Sequence, residues 1–192
     1  MRLFVALSIS EDVREKLGTL VRELSAADPA PRWINPGNLH ITLKFIGEVS
    51  PDRVTAICDA LSEVRVNQSL NLEFRGLEFF PNARRPSVAW VGIESSPCLA
   101  LLAGEINRTL VPLGIPSENK PFVPHLTIAR FKQPRVSPAL NAKIQEQSSR
   151  GFGFTSPSEF QLMESRLKSG GAEYTMLRSF PLLNEGRRGP HS

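Results

Sequence analysis

With 192 residues, 41% hydrophobic and 22% charged, the chain has ordinary globular composition and room for one substantial domain or two small lobes sharing a core. Its formal charge of +4 and pI near 9.4 suit an anionic partner such as RNA without requiring one. No run approaches the roughly 20 apolar residues of a membrane span, and two cysteines, Cys58 and Cys98, are too few for a disulfide framework, so both read as reduced structural thiols.

Residues 2–7 are compact and apolar and predict a buried strand. The opening MRLFVALSIS carries one basic residue and runs straight into Glu11 and Asp12, so it reads as that strand and not as a signal peptide. A cytoplasmic location is then the default. Ser10 opens a helix with Val13, Leu17, Leu20, Val21 and Leu24 on one face, ended by Asp28-Pro29 and Pro31. A strand over 38–47 closes at Gly47, and Ser50-Pro51-Asp52 starts a helix to Val64 with Pro at its first position. Strands near 70–79 and 87–94 follow, joined by PNARRPS.

The second half repeats the rhythm. Ser96-Pro97 opens a helix to about Leu113, residues 124–131 form a strand, Ser137-Pro138 begins a helix to Ser149, and strands near 152–165 and 172–180 close the chain. The final NEGRRGPHS shows no periodicity and is expected to be a mobile basic tail at 184–192. The order helix–strand–helix–strand–strand, written twice, predicts an α+β fold. Duplicated lobes would place antiparallel sheets on a central cleft with helices outside, in a single bilobal unit over 1–183.

Of three histidines, His191 is in the tail. The others stand in near-identical strings 85 residues apart: Leu39-His40-Ile41-Thr42-Leu43 and Pro124-His125-Leu126-Thr127-Ile128. Alternate strand residues share a face, so each His stands with its Thr while the aliphatic neighbours turn to the core. Imidazole exchanges a proton near neutral pH, and a Thr hydroxyl beside it can donate to a phosphate oxygen. Two such pairs facing one another suit in-line displacement at phosphorus, one His taking the proton of water and the other protonating the leaving oxygen. One such His reads as a core residue; two in repeat-related places read as a site. Zinc wants three or four ligands, and no third His or Cys sits at suitable spacing, so neither metal nor cofactor is expected.

These strings, with RLFVAL, NLHITLKFIGEV, PFVPHLTIARF and ESRLKSGGAEYTMLRSFPL, resemble the bacterial and archaeal RNA 2′,3′-cyclic phosphodiesterases of the 2H phosphoesterase superfamily, first described as 2′–5′ RNA ligases. The resemblance spans residues 1–183. It implies metal-independent hydrolysis of RNA ends or nucleotides bearing a 2′,3′-cyclic phosphate to a 2′-phosphate. A monomer away from membranes is expected. The resemblance further implies His40 as general acid, His125 as general base, and Thr42 and Thr127 on phosphate oxygens. Arg130 would grip phosphate and Phe45 would stack on the base.

Both of the last two lie at the fifth position after their histidine, which strict alternation puts on the opposite face. The strand must therefore bulge, twist or end beyond each Thr. The same alternation puts Lys44 beside His40. Arg84 and Arg85 could meet an RNA backbone, while Trp33 reads as a packing anchor and Tyr174 as a structural hydroxyl. Two other functions fit the same residues: the reverse reaction, a 2′–5′ RNA ligase, and an RNA-end-binding module without turnover, which would have no need of two histidines.

Overall fold

Nine strands and four helices make up the computed structural model, which describes residues 1–66, 69–95, 97–118, 120–168 and 171–182; the expected tail lies outside them. Strand β1 (Arg2–Leu7) is buried at every position from Leu3 on because it runs between two neighbours. Helix α1 (Glu11–Ala27) carries Glu11 and Asp12 in its first turn, where the helix dipole favours acids, and buries the predicted apolar face. Ser10 does not cap it. Its backbone N–H donates to Thr155 Oγ1 and its hydroxyl to the Phe154 carbonyl, tying the helix start to a strand far along the chain.

A two-residue strand, β2 (Arg32–Trp33), which the sequence pattern did not predict, precedes β3 (Ile41–Glu48). Helix α2 (Val54–Ser62) is shorter than expected, since its first turn, Pro51–Arg53, is a 3-10 turn. Strands β4 (Leu72–Phe80) and β5 (Val88–Ser95) form a hairpin, followed by α3 (Cys98–Leu110) and β6 (His125–Arg130). In α4 (Pro138–Glu146) Ser137 does cap, accepting from the Leu140 N–H at 3.2 Å. The stretch 152–165 divides between β7 (Gly151–Thr155) and β8 (Glu159–Lys168), and β9 (Gly171–Pro181) pairs with β8.

The strands form two antiparallel sheets, ordered β3-β1-β8-β9 and β2-β6-β5-β4-β7. Each draws strands from both halves of the sequence. The closing hairpin β8–β9 completes the sheet of β1 and β3, while the hairpin β4–β5 of the first half completes the sheet of β6 and β7. Duplication is present, but a sequence repeat is not a spatial lobe. Helices α1 and α4 pack together, on β7 and β4; α2 and α3 pack together, on β9 and β3. One continuous apolar core joins all of this, including the buried Cys58 and Cys98. No helix among the described residues is long and apolar enough to cross a membrane.

Candidate active site

Each motif strand contains a bulge at the same place. In β3, Thr42 stands opposite Ala6 and Lys44 opposite Val5, leaving Leu43 as an extra residue. In β6, Thr127 stands opposite Trp90 and Ala129 opposite Ala89, leaving Ile128 extra. The extra residue resets the alternation. Leu43 and Lys44 are both buried, as are Ile128 and Ala129, and the next residues, Phe45 and Arg130, return to the face of the His and Thr side chains. The same bulge corrects the expectation for Lys44. It turns away from His40, is 3% exposed, and its Nζ donates to the Pro116 carbonyl at 2.7 Å with Glu118 3.7 Å away.

His40, Thr42, Phe45, His125, Thr127 and Arg130 thus line one cleft of about 600 Å³ between the two sheets. Arg2, Arg32, Phe4, Trp33, Asn38 and Tyr174 line it too. Among the described residues its lining contains three arginines and no carboxylate, the electrostatics of an anion site. No residue of the four helices reaches it. Arg84 and Arg85 lie outside the lining.

Both imidazoles are oriented alike. His40 Nδ1 is 2.7 Å from the Asn38 carbonyl and His125 Nδ1 is 2.7 Å from the Val123 carbonyl, each two residues back. A carbonyl can only accept, so Nδ1 carries the hydrogen and Nε2 is left to exchange a proton. Thr42 Oγ1 lies 3.1 Å from His40 Nε2, and in neutral His40 its hydroxyl donates there. The His40 ring rests on Phe4, with centroids 4.9 Å apart, and meets Tyr174 edge-on at 5.2 Å. Burial pushes the His40 pKa below the usual histidine value; the hydrogen bond to Asn38 opposes this, and the charges of Arg130 and Arg14 add to it.

The segment before His40 is held from several sides. Arg14 on α1 donates to the Pro36 carbonyl at 2.9 Å and, more weakly, to those of Gly37 and Leu39, both at 3.4 Å. Asn35 Oδ1 accepts from the Gly37 N–H, and Asn38 Nδ2 donates to the Ala172 carbonyl at 2.7 Å. Sequence reasoning did not find Arg14, Asn38 or Phe4. For Phe4 the signal was there, since alternation along β1 puts Arg2, Phe4 and Ala6 on one face; the other two act through contacts distant along the chain. Trp33 does anchor, its Nε1 donating to the Asp28 carbonyl at 2.9 Å, yet it also lines the cleft, and Tyr174 is a ring neighbour of His40.

Known proteins resemble the chain along nearly its whole length. Residues 7–90 and 91–174 each match the description LigT like phosphoesterase, so the family pattern occurs twice in succession. The chain is 37% identical over 180 residues to the RNA 2′,3′-cyclic phosphodiesterase of Archaeoglobus fulgidus, covering 94% of this chain and 99% of that one. The crystal structure of TT0787 of Thermus thermophilus superposes with a TM-score of 0.76 at 30% identity, covering 96% of this chain and all of that one. E. coli LigT complexed with 3′-AMP gives a TM-score of 0.75 at 26% identity, over 94% and 97% of the two chains.

Proposed function

The chain belongs to the LigT-like phosphoesterases, and we propose that it hydrolyses 2′,3′-cyclic phosphate at RNA ends to a 2′-phosphate, without metal, through His40 and His125. The observation that carries this reading is the matched pair of imidazoles in a cationic cleft, each with Nδ1–H on the backbone carbonyl two residues back, which leaves Nε2 to exchange a proton.

In the proposed reaction Arg130, Thr42 and Thr127 hold the non-bridging phosphate oxygens, and Phe45, 54% exposed, offers its ring to the terminal base. His125 Nε2 removes a proton from water as its oxygen bonds to phosphorus. The bond from phosphorus to the 3′-oxygen breaks, and His40 Nε2 delivers its proton to that oxygen, leaving a 3′-hydroxyl and a 2′-phosphate. Burial, aided by the charges of Arg130 and Arg14, lowers the His40 pKa, which runs against an acid's need to hold its proton. A phosphate anion beside the ring offsets the Arg130 part of that shift.

Product analysis with adenosine 2′,3′-cyclic phosphate tests the reading. Appearance of 2′-AMP, undiminished by EDTA, is the expected result. Release of 3′-AMP would overturn the assignment of the leaving oxygen, and no turnover would leave a binding module.

A further inference from the structure

We propose that the cleft-side face of the second sheet, from Arg32 across to Phe80, is a binding track for the single-stranded RNA that precedes the cyclic phosphate; this rests on the reading that the cleft takes such an RNA end. A 2′,3′-cyclic phosphate closes the 3′ terminus, so every other nucleotide lies on its 5′ side and has to leave the cleft over neighbouring protein.

Strand register lays the track out. Arg32 pairs with Arg130, Arg130 with Val88, and Val88 with Phe80, in one row across β2, β6, β5 and β4. Residues directly opposite in antiparallel strands project from the same face. Arg32 and Arg130 line the cleft, so Val88 and Phe80 continue its floor outward. Strand spacing puts Phe80 about 10 Å from Arg130.

Phe80 is 58% exposed, whereas Phe79 beside it is 8% exposed and packs edge-on against Phe131, centroids 5.8 Å apart. Phe79 therefore anchors this end of β4, and the Phe80 ring is left to solvent. The loop that follows is tied down: Ser87 N–H and its hydroxyl donate to the Phe80 carbonyl, and the Phe131 N–H donates to the Ser87 carbonyl. Asn82 Oδ1 accepts from the N–H groups of Arg84 and Arg85. Among the described residues the guanidinium groups of Arg32, Arg84, Arg85 and Arg130 form no ion pair or hydrogen bond, while Arg75, Arg108 and Arg166 are each held by a glutamate.

Unpaired arginines flanking an exposed ring match the requirements of single-stranded RNA, phosphates for the cations and a base face for the aromatic. Glu78 lies on the same face two residues before Phe80, opposite Trp90, and bounds the track on that side.

The test compares adenosine 2′,3′-cyclic phosphate with RNA tetranucleotides ending in the same group. Phe80→Ala is expected to raise KM for the tetranucleotide about 10-fold, the effect of losing one stacked base, and to leave the mononucleotide kinetics unchanged. Phe80→Trp should restore the wild-type ratio. Arg84→Gln with Arg85→Gln should flatten the dependence of log KM on log salt by about 1.4, at roughly 0.7 for each phosphate no longer neutralised. Equal effects of Phe80→Ala on both substrates, or none, would overturn the track, as would a change in the ratio caused by Arg2→Gln instead. Should neither substrate turn over, the proposed reaction fails. Anisotropy with a 5′-labelled tetranucleotide ending in a 2′-phosphate then decides the track: weaker binding by Phe80→Ala supports it and equal binding overturns it.

Discussion

His40 and His125 share a motif, a bulge and a tautomer, yet their surroundings differ. The carbonyl that orients His40 belongs to a segment clamped by Arg14, by the Asn35 cap and by the bond from Asn38 to Ala172, and the ring lies against Phe4 and Tyr174. The carbonyl that orients His125 belongs to Val123, 57% exposed, and the ring meets Trp90 at 5.9 Å, edge-on. Thr42 reaches its own histidine; no such bond joins Thr127 to His125 among the described residues. Duplication supplied two imidazoles, and packing made one fixed and the other open. A fixed imidazole suits proton delivery to one defined leaving oxygen, and an open one leaves room for water, in keeping with the roles proposed above.

The sharpest way to break this comparison is to delete each ring in turn. His40→Ala and His125→Ala should each lower kcat/KM by about 10²–10⁴-fold with the fold retained; near-normal rates in either would end the partnership. Arg130→Gln comes next, with kcat/KM down about 10–100-fold, the scale of a missing charge-assisted hydrogen bond, and the His40 pKa raised because a depressing charge is gone. NMR of the ring C–H resonances reads that shift. Arg14→Met should act on His40 alone: kcat falls about 10-fold, the scale of one charge-assisted hydrogen bond, KM holds, and the His40 midpoint rises. A rise in KM with no movement of that midpoint would make Arg14 merely structural.

The smallest effect concerns stability. His40 binds its proton less readily when folded than the ordinary value near 6.5, so below that pH the unfolded chain takes up more protons. Stability should therefore fall as pH drops from about 6.5 toward the folded pKa, and His40→Phe should remove that part of the slope in thermal melts.

Features carried by short stretches were legible in the sequence. Apolar periodicity, Pro and Ser at helix starts, and the two His-x-Thr strings located the main elements and the candidate pair. A bulge was one of three ways, with a twist or a strand end, for Phe45 and Arg130 to join their histidines, and the register shows the bulge in both strands. Lys44 escaped for the same reason in reverse, since alternation holds only until a ladder gains a residue. Strand β2, too short for periodicity, and the Arg14 clamp, which reaches 22 positions along the chain to Pro36, had no local signal. Nor did the exchange of hairpins between sheets: an alternating strand records which face is buried, not which strand lies beside it.

That exchange bears on how the protein is made. Strand β1 leaves the ribosome first but lacks one neighbour until β8 arrives, with Phe4 paired to Met163. The second sheet likewise waits, its β4 flanked only by β5 until β7 is synthesised. During translation each sheet therefore presents an unsatisfied edge, of the sort that recruits other chains. Chaperone demand and misassembly should peak before the hairpin β8–β9 emerges, and truncations within it should be aggregation-prone.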